Sequence, residues 1–170
     1  MYVVKIHNDG ITTEIHGETA KLQSGSLVKS VGHSIDSFTF TVIPSNPGFN
    51  RLRDYKTLVT IYNTRTNKYE FYGRVLYSSP EMDSDGRITK EVVCESYLGF
   101  LCDSKQRYVA ERNWTVTELW QQIIDVHNEQ TEEYKHFALG EVTAEDTNDN
   151  LYVGIQREDS WQTIKTKLVD

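Results

Sequence analysis

Apolar and polar side chains alternate along much of the first hundred residues, and this pattern constrains the fold more than any other feature of the sequence. Residues 68–77 show it most clearly. Aromatic and β-branched side chains at a period of two predict a half-buried strand. The pattern places five residues on the buried face of that strand: Tyr69, Phe71, Gly73, Val75 and Tyr77. The charged residues between them are expected on the opposite face.

Turn signals separate this strand from several others. Asn-Asp-Gly at residues 8–10 lies between two alternating segments and predicts a tight hairpin, and Asp-Ser-Asp-Gly at residues 83–86 predicts a second turn. Further strands are predicted at residues 38–42 and 58–62. Many short strands at close spacing predict a small antiparallel β-barrel or sandwich. We assign this unit to residues 1–104.

The apolar period changes to 3.6 in the second part of the chain. Thr115 and Glu118 have the spacing of a capping box, in which each side chain bonds the backbone N–H of the other residue. An apolar stripe at helical spacing follows: Val116, Leu119, Trp120, Ile123, Ile124 and His127. The sequence therefore predicts a helix that begins after Thr115 and ends near Asn128.

Shorter elements are predicted after this helix. Residues 137–142 and 151–155 have the composition of strands, and Ser160 has the position of an N-cap for a second amphipathic helix that contains Ile164. No terminating signal follows before residue 170. We therefore expect residues 105–170 to be an incomplete α+β domain of a longer protein, so that the predicted fold is mainly β with an α+β second part.

Charge and composition exclude several classes of protein. The net charge is −7 over 170 residues and cations are not clustered, whereas binding to DNA or anionic membranes requires clustered Lys and Arg. No run of about 18 apolar residues predicts a membrane span. The strand pattern begins at Tyr2 without a signal peptide, which predicts synthesis in the cytosol. Cys94 and Cys102 are then expected to be reduced, inert thiols.

The acidic turn at residues 83–86 partly matches a calcium-binding loop. Counting from Glu81 places Asp83 and Asp85 at the third and fifth positions, but the twelfth is Val92 instead of the required Glu. We interpret the segment as a plain hairpin turn. The five histidines have no spacing typical of a metal site on one helix: His7, His16, His33, His127 and His136. A structural role is favoured for His127.

The remaining polar residues carry no recognisable catalytic signature. The sequence has no nucleophile elbow, no phosphate-binding glycine loop and no Cys-x-x-Cys pair. Sequence alone cannot select a glycosidase pair from the many carboxylates, and one acidic group has the pattern of a solvated face: Glu129, Glu132, Glu133 and Asp146. Trp114, Trp120 and Trp161 are expected in the core, with an exposed carbohydrate platform as the alternative. No catalytic, cofactor-binding or metal-binding residue is predicted.

An ordered set of segments resembles one phage protein family. In the first part these are residues 71–75 (FYGRV) and 93–104 (VCESYLGFLCDS). In the second part they are residues 119–124, 127–130 (HNEQ), 137–143 (FALGEVT), 148–150 (NDN), 160–164 (SWQTI) and 167–169 (KLV). The chain resembles the N-terminal baseplate-hub region of siphophage tail-associated lysins, which are also called prophage tail endopeptidases or minor structural proteins.

This resemblance implies a structural role at the tip of a phage or prophage tail. It implies small β-barrel domains in a homotrimeric ring, an attached α+β domain, and contacts with the distal tail protein and the tape measure protein. DNA would pass through without specific binding, and no membrane anchor or cofactor is implied. Peptidase or peptidoglycan-hydrolase modules lie further toward the C-terminus in long members, so this segment is expected to have no enzymatic activity. Two alternatives stay open: a cell-wall hydrolase fragment, and a carbohydrate- or receptor-binding β module.

Overall fold

A computed structural model of the chain describes residues 1–29, 35–143 and 151–169. The chain divides into two compact units, Met1–Tyr97 and Leu98–Asp170. The domain boundary predicted at residue 104 lies a few residues beyond this division. Three features of the sequence lie outside the described residues: His33, Asp146 and the segment 148–150.

The first unit is one antiparallel sheet. Its described strands are β1 (Tyr2–Asn8), β2 (Ile11–His16), β3 (Ser24–Val28), β4 (Ser37–Val42), β5 (Leu58–Asn63), β6 (Lys68–Met82) and β7 (Ile88–Ser96). They are hydrogen-bonded in the order β2-β1-β5-β6-β7-β4-β3. The hairpins predicted at residues 8–10 and 83–86 are confirmed, since β1 pairs with β2 and β6 pairs with β7 across these turns.

The sheet is strongly curled, because β2 and β3 are consecutive in sequence but lie at its opposite edges. Residues 17–23 join them and are called the strap. In the strap, Leu22 N–H donates to the His16 ring on β2 (3.2 Å), and the next amide, Gln23 N–H, donates to Thr41 O on β4 (2.9 Å). Adjacent amides that contact strands from both edges require those edges to be close together.

The sheet nevertheless stays open within the described residues. The strap lies between β2 and β3, and these two edge strands are not hydrogen-bonded to each other. The buried side chain of Asn46 links the strap to β2. Its Nδ2 donates to Ile15 O on β2 (2.8 Å) and to Lys21 O in the strap (2.9 Å). The antiparallel, mainly β character of this unit is confirmed, but a closed barrel is not.

The inner face of the sheet forms the core of the first unit. Its buried members are Val4, Ile6, Ile15, Phe38, Phe40, Val42, Val59, Ile61, Phe71, Val75, Val92 and Cys94. The alternation predicted for β6 is right for Phe71, Gly73 and Val75, which face inward. It is wrong for Tyr69 and Tyr77, which are 54% and 50% exposed.

Two β-bulges explain this error. The pairing of β6 with β5 shifts between Phe71 and Tyr69, and its pairing with β7 shifts between Val75 and Tyr77. Each bulge adds one residue, and a shift of one residue moves the following side chains to the other face of a strand.

The second unit combines a short sheet with helices. Its elements are β8 (Val109–Trp114), α1 (Val116–Gln130), β9 (Leu151–Ile155) and α2 (Ser160–Ile164), with 3₁₀ turns at Tyr97–Asp103 and Glu133–Lys135 and a π turn at Lys165–Val169. β8 and β9 pair antiparallel. Their core contains Leu101, Leu119, Ile123, Val153, Ile155 and Ile164. No helix in the described ranges is long and apolar enough to cross a membrane.

The capping box at the start of α1 is confirmed. Glu118 N–H donates to Thr115 Oγ1 (3.1 Å), and Thr115 N–H donates to Glu118 Oε2 (2.8 Å). The helix, however, continues past Asn128 to Gln130. Asn128 instead binds the segment after the helix. Its side-chain amide donates to Phe137 O (2.8 Å) and accepts from Phe137 N–H (3.0 Å).

Two other predictions for this unit are wrong. The described residues 137–142 form no strand, since the side chain of Asn128 supplies the backbone partner of Phe137 that a neighbouring strand would supply. The N-cap of α2 is Asp159 instead of Ser160, and its Oδ1 accepts from Gln162 N–H (2.7 Å). The strand predicted at residues 151–155 is confirmed as β9.

Candidate functional site

A buried polar cluster in the second unit brings a serine close to a histidine. Ser104 Oγ lies 2.7 Å from His127 Nδ1 and 2.5 Å from Ser160 Oγ. Gln106 Nε2 donates to Ser160 Oγ (2.7 Å) and to Ile123 O (3.1 Å). The pair Ser104 and His127 therefore has the spacing of a nucleophile and its base.

The hydrogen-bond partners determine where the protons of this cluster lie. His127 Nε2 is 3.1 Å from Lys135 O, and a carbonyl only accepts, so Nε2 carries the hydrogen. Nδ1 then accepts from the Ser104 hydroxyl. Ser104 in turn accepts from Ser160, which accepts from the Gln106 amide. Every member is satisfied with a neutral imidazole.

Burial makes this cluster a structural feature. His127 and Ser160 are completely buried and Ser104 is 1% exposed, so a substrate has no access to the serine oxygen. Desolvation is the main influence on His127, and it lowers the pKa of the imidazole. The cluster joins the segment before β8 to α1 and α2, in agreement with the structural role expected of His127.

The acidic turn and the cysteines also have structural roles. Asp83 Oδ1 accepts from the N–H groups of Asp85 and Arg87, both at 2.9 Å, as expected for a turn residue. Cys94 is buried, which raises the pKa of its thiol, and no disulfide joins it to Cys102. In the part of the chain that the structure describes, no group of three or more His, Cys, Asp or Glu residues is arranged to hold a metal ion.

The tryptophans belong mainly to the second core. Trp114, Trp120 and Trp161 are partly buried and pack against it. Trp120 and Trp161 also line an apolar groove of about 400 Å³ beside residues 137–143. All three rings are therefore partly buried against the core, as expected for core residues, and none is fully exposed.

Tyrosines instead form an exposed aromatic surface on the outer face of the first unit. We call Tyr62, Tyr69, Tyr72 and Tyr97 the tyrosine row. Successive ring centroids are 5.0, 4.6 and 5.7 Å apart. Tyr69 is 54% exposed and Tyr72 is 40% exposed. The rings meet at angles of 62°, 39° and 29°, so the row is not flat, and such a surface suits a protein partner better than a flat sugar ring.

Three cations lie on or near the face that carries the tyrosine row. Lys5 lies on the same face, because it pairs with Thr60, which pairs with Tyr72. Arg65 and Lys68 are exposed in and beside the turn between β5 and β6. The sequence carried a partial signal for this surface, namely ten tyrosines, but the bulge that places Tyr69 beside Tyr72 was not predicted.

The opposite end of β6 projects as a hairpin. We call residues 81–89 the finger. Because β4 pairs with β7 only as far as Lys90, the two strands of the finger are hydrogen-bonded only to each other. Met82 and Ile88 are cross-strand partners and are 72% and 47% exposed. The finger also carries Glu81, Asp83 and Asp85 against one cation, Arg87.

Comparisons with solved structures identify the fold. The tail protein from Neisseria meningitidis matches 96% of this chain with a TM-score of 0.57 and 15% identity. Prophage tail protein gp18 from Listeria monocytogenes matches 96% with a TM-score of 0.61 and 10% identity. The 43 kDa tail protein of prophage MuSo2 from Shewanella oneidensis matches 93% with a TM-score of 0.52 and 17% identity.

These likenesses establish a shared fold across nearly the whole chain. The three matched proteins are all tail proteins, two of them described as prophage proteins. This chain spans 44% of the length of each of them. No protein-family model matches the sequence, and no curated protein is significantly similar to it.

Proposed function

We propose that this chain is a structural component of a phage or prophage tail and lies at the tail tip, in the baseplate hub. The observation that carries the proposal is the match of both units, in order, to three tail proteins over at least 93% of the chain. The sequence segments that resemble the hub region of tail-associated lysins support the position at the tip. In this proposal the curled sheet is the barrel-like domain of the hub.

The proposal includes a homotrimeric ring that closes the tail tube and contacts the distal tail protein and the tape measure protein. The tyrosine row of the first unit supports a role in assembly, since exposed aromatic side chains are typical of interfaces. DNA would pass through the ring without being bound. The net charge of −7 supports this, because like charges avoid trapping the polymer.

A structural role is favoured over catalysis within this segment. Among the residues that the structure describes, the closest approach to a catalytic pair is Ser104 with His127, which is enclosed and already satisfied by hydrogen bonds. Activity of any longer protein that contains this chain is a separate matter, because the matched tail proteins extend well beyond it.

The experiment is to locate the chain in particles. Phage produced by the strain that encodes it are purified and labelled with an antibody raised against residues 1–170. We expect gold label at the tail end distal to the head, and we expect a frame deletion to produce particles without assembled tails. Intact particles that lack the chain, or normal tails after the deletion, would contradict the proposal. Label along the whole tail would contradict the position at the tip.

A further inference from the structure

We infer that the first unit carries a head-to-tail interface, in which the finger of one copy binds the tyrosine row of the next copy. This inference rests on the ring assembly proposed above and specifies which surfaces form it. The occupant of the tyrosine row is therefore a second copy of this chain.

The two surfaces are complementary in chemistry. The finger presents an apolar pair, Met82 and Ile88, among three carboxylates. The tyrosine row presents aromatic rings among three cations: Lys5, Arg65 and Lys68. Methionine makes favourable contacts with aromatic rings, and opposite charges around an interface set its orientation. Arg74 and Glu95 beside the row form their own ion pair (2.7 Å), so they contribute little net charge.

Both surfaces are preorganised, which reduces the entropy lost on binding. The turn of the finger is fixed by Asp83, whose backbone pairs with Arg87 and Gly86 while its carboxylate accepts from Asp85 and Arg87. Gly86 supplies the positive φ of 77° that this turn requires. In the row, the rings are held by mutual contact at 4.6–5.7 Å.

The two surfaces cannot meet within one molecule. Tyr69 and Met82 lie on the same strand with twelve residues between them, a distance of roughly 40 Å along an extended strand. Different surfaces that bind each other between copies form a heterologous interface, which closes into a ring when the rotation between copies allows it. Each copy in a closed ring makes two such contacts, so the second contact benefits from a high effective concentration.

Paired variants test this interface in the full 170-residue chain. The finger variant carries M82S and I88S, and the row variant carries Y69S and Y72S. Sedimentation velocity is expected to show a concentration-dependent oligomer for the unmodified chain and monomers for each variant alone. Ile11 and Tyr108 are 60% and 66% exposed and belong to neither surface, so I11S and Y108S are the matched controls and should assemble normally. Circular dichroism verifies that all variants are folded.

Mixing the two variants provides the decisive measurement. The finger variant keeps an intact row and the row variant keeps an intact finger, so one contact forms and cannot propagate. With the finger variant labelled by ¹⁵N, carbodiimide coupling should join labelled peptides containing Lys5 or Lys68 to unlabelled peptides containing Glu81 or Asp85. An isologous interface would not produce this one-directional labelling.

Several outcomes would overturn the inference. These are an unmodified chain that stays monomeric at about 100 μM, normal assembly of either variant, or mixed samples without the one-directional cross-link. Assembly that persists in both variants would mean that the proposed ring forms through another surface. The proposed role in the tail is tested separately, and absence of the chain from intact particles would contradict it.

Discussion

His127 shows how a histidine hydrogen-bonded to a serine can serve packing, as the apolar stripe of its helix predicts. Its two ring nitrogens face one donor, Ser104, and one acceptor, Lys135 O, so the neutral ring satisfies both. A protonated ring would carry a hydrogen on both nitrogens. Nδ1–H would then point at the hydroxyl hydrogen of Ser104, and that hydrogen bond would be lost. The cluster therefore links the stability of the second unit to pH.

The first prediction concerns this pH dependence. The pKa of His127 is lowered from the ordinary 6.5 in the folded chain, mainly by desolvation. Below about pH 6.5 the unfolded chain therefore binds more protons, and the free energy of unfolding falls as pH decreases, by at most about 1.4 kcal/mol per pH unit for one histidine. Urea denaturation at pH 7.5 and 5.5 should show a smaller decrease for H127Q than for the unmodified chain.

His7 requires a control in that experiment. Its pKa is also lowered, by burial and by Lys5, so it acts in the same direction from the first unit. H7Q should remove only that separate contribution, and H7Q with H127Q should remove both. Equal pH dependence in H127Q and the unmodified chain would contradict the prediction.

Gly73 provides the second prediction. A Cβ at this position would lie 2.0 Å from Glu95 O on the neighbouring strand and 2.7 Å from the Phe71 ring. Since a backbone oxygen in the middle of a sheet cannot easily move, G73A should lower the free energy of unfolding by about 1–3 kcal/mol. G140A is the matched control, because a Cβ there meets nothing within 4 Å. Equal thermal stability of G73A and G140A would contradict the prediction, because it would show that the backbone of β7 can move away at Glu95.

The success of sequence analysis for single residues depended on local pattern. Phe71 and Val75 were placed correctly because alternation holds between the two bulges of β6. Tyr69 and Tyr77 were misplaced because a bulge is set by the register with a partner strand, which a local pattern does not contain. The tyrosine row could not be predicted for the same reason.

Among the elements, α1 was the most predictable. Its cap and its apolar stripe are both encoded within the helix itself. β8 was missed, because its sequence VAERNW has no regular alternation and its partner β9 begins well over thirty residues later. The segment 137–142 was assigned as a strand because its composition is apolar, whereas its first residue, Phe137, has both backbone groups bonded to the side chain of Asn128.

The third prediction concerns the start of α1. Thr115 Oγ1 accepts from Glu118 N–H, and loss of an N-cap hydroxyl costs about 1 kcal/mol. T115A should therefore lower the stability of the second unit by about that amount in chemical denaturation, while T115S, which retains the hydroxyl, should change it by less than half as much. A T115S variant as unstable as T115A would assign the effect to packing of the methyl group instead of the cap.

For the molecule as a whole, sequence analysis predicted the succession of a β unit and an α+β unit but not the strand order. That order depends on β1 pairing with β5 and β4 pairing with β7, both across more than forty residues. Hairpins are encoded in their turns, but distant pairings depend on which faces fit together.

The fourth prediction concerns nucleic acid. With a net charge of −7, the chain should not retard linear double-stranded DNA in a gel at 0.15 M salt, even at micromolar protein concentration. Binding that weakens steeply as salt increases would reveal a basic surface in the assembled form and would contradict passage of DNA without binding. The finger variant M82S/I88S tests whether any such binding requires assembly.

The strand order also has a consequence for synthesis. β1 and β4 are translated early. Their partners nearer the middle of the sheet are translated later, because β5 is complete only at Asn63 and β7 only at Ser96. Until then, a nascent polypeptide on the ribosome exposes apolar strands whose final neighbours do not yet exist, a condition that favours aggregation. We therefore expect productive folding of the first unit only after Ser96 has left the exit tunnel, so that chaperones have their greatest effect on shorter nascent chains.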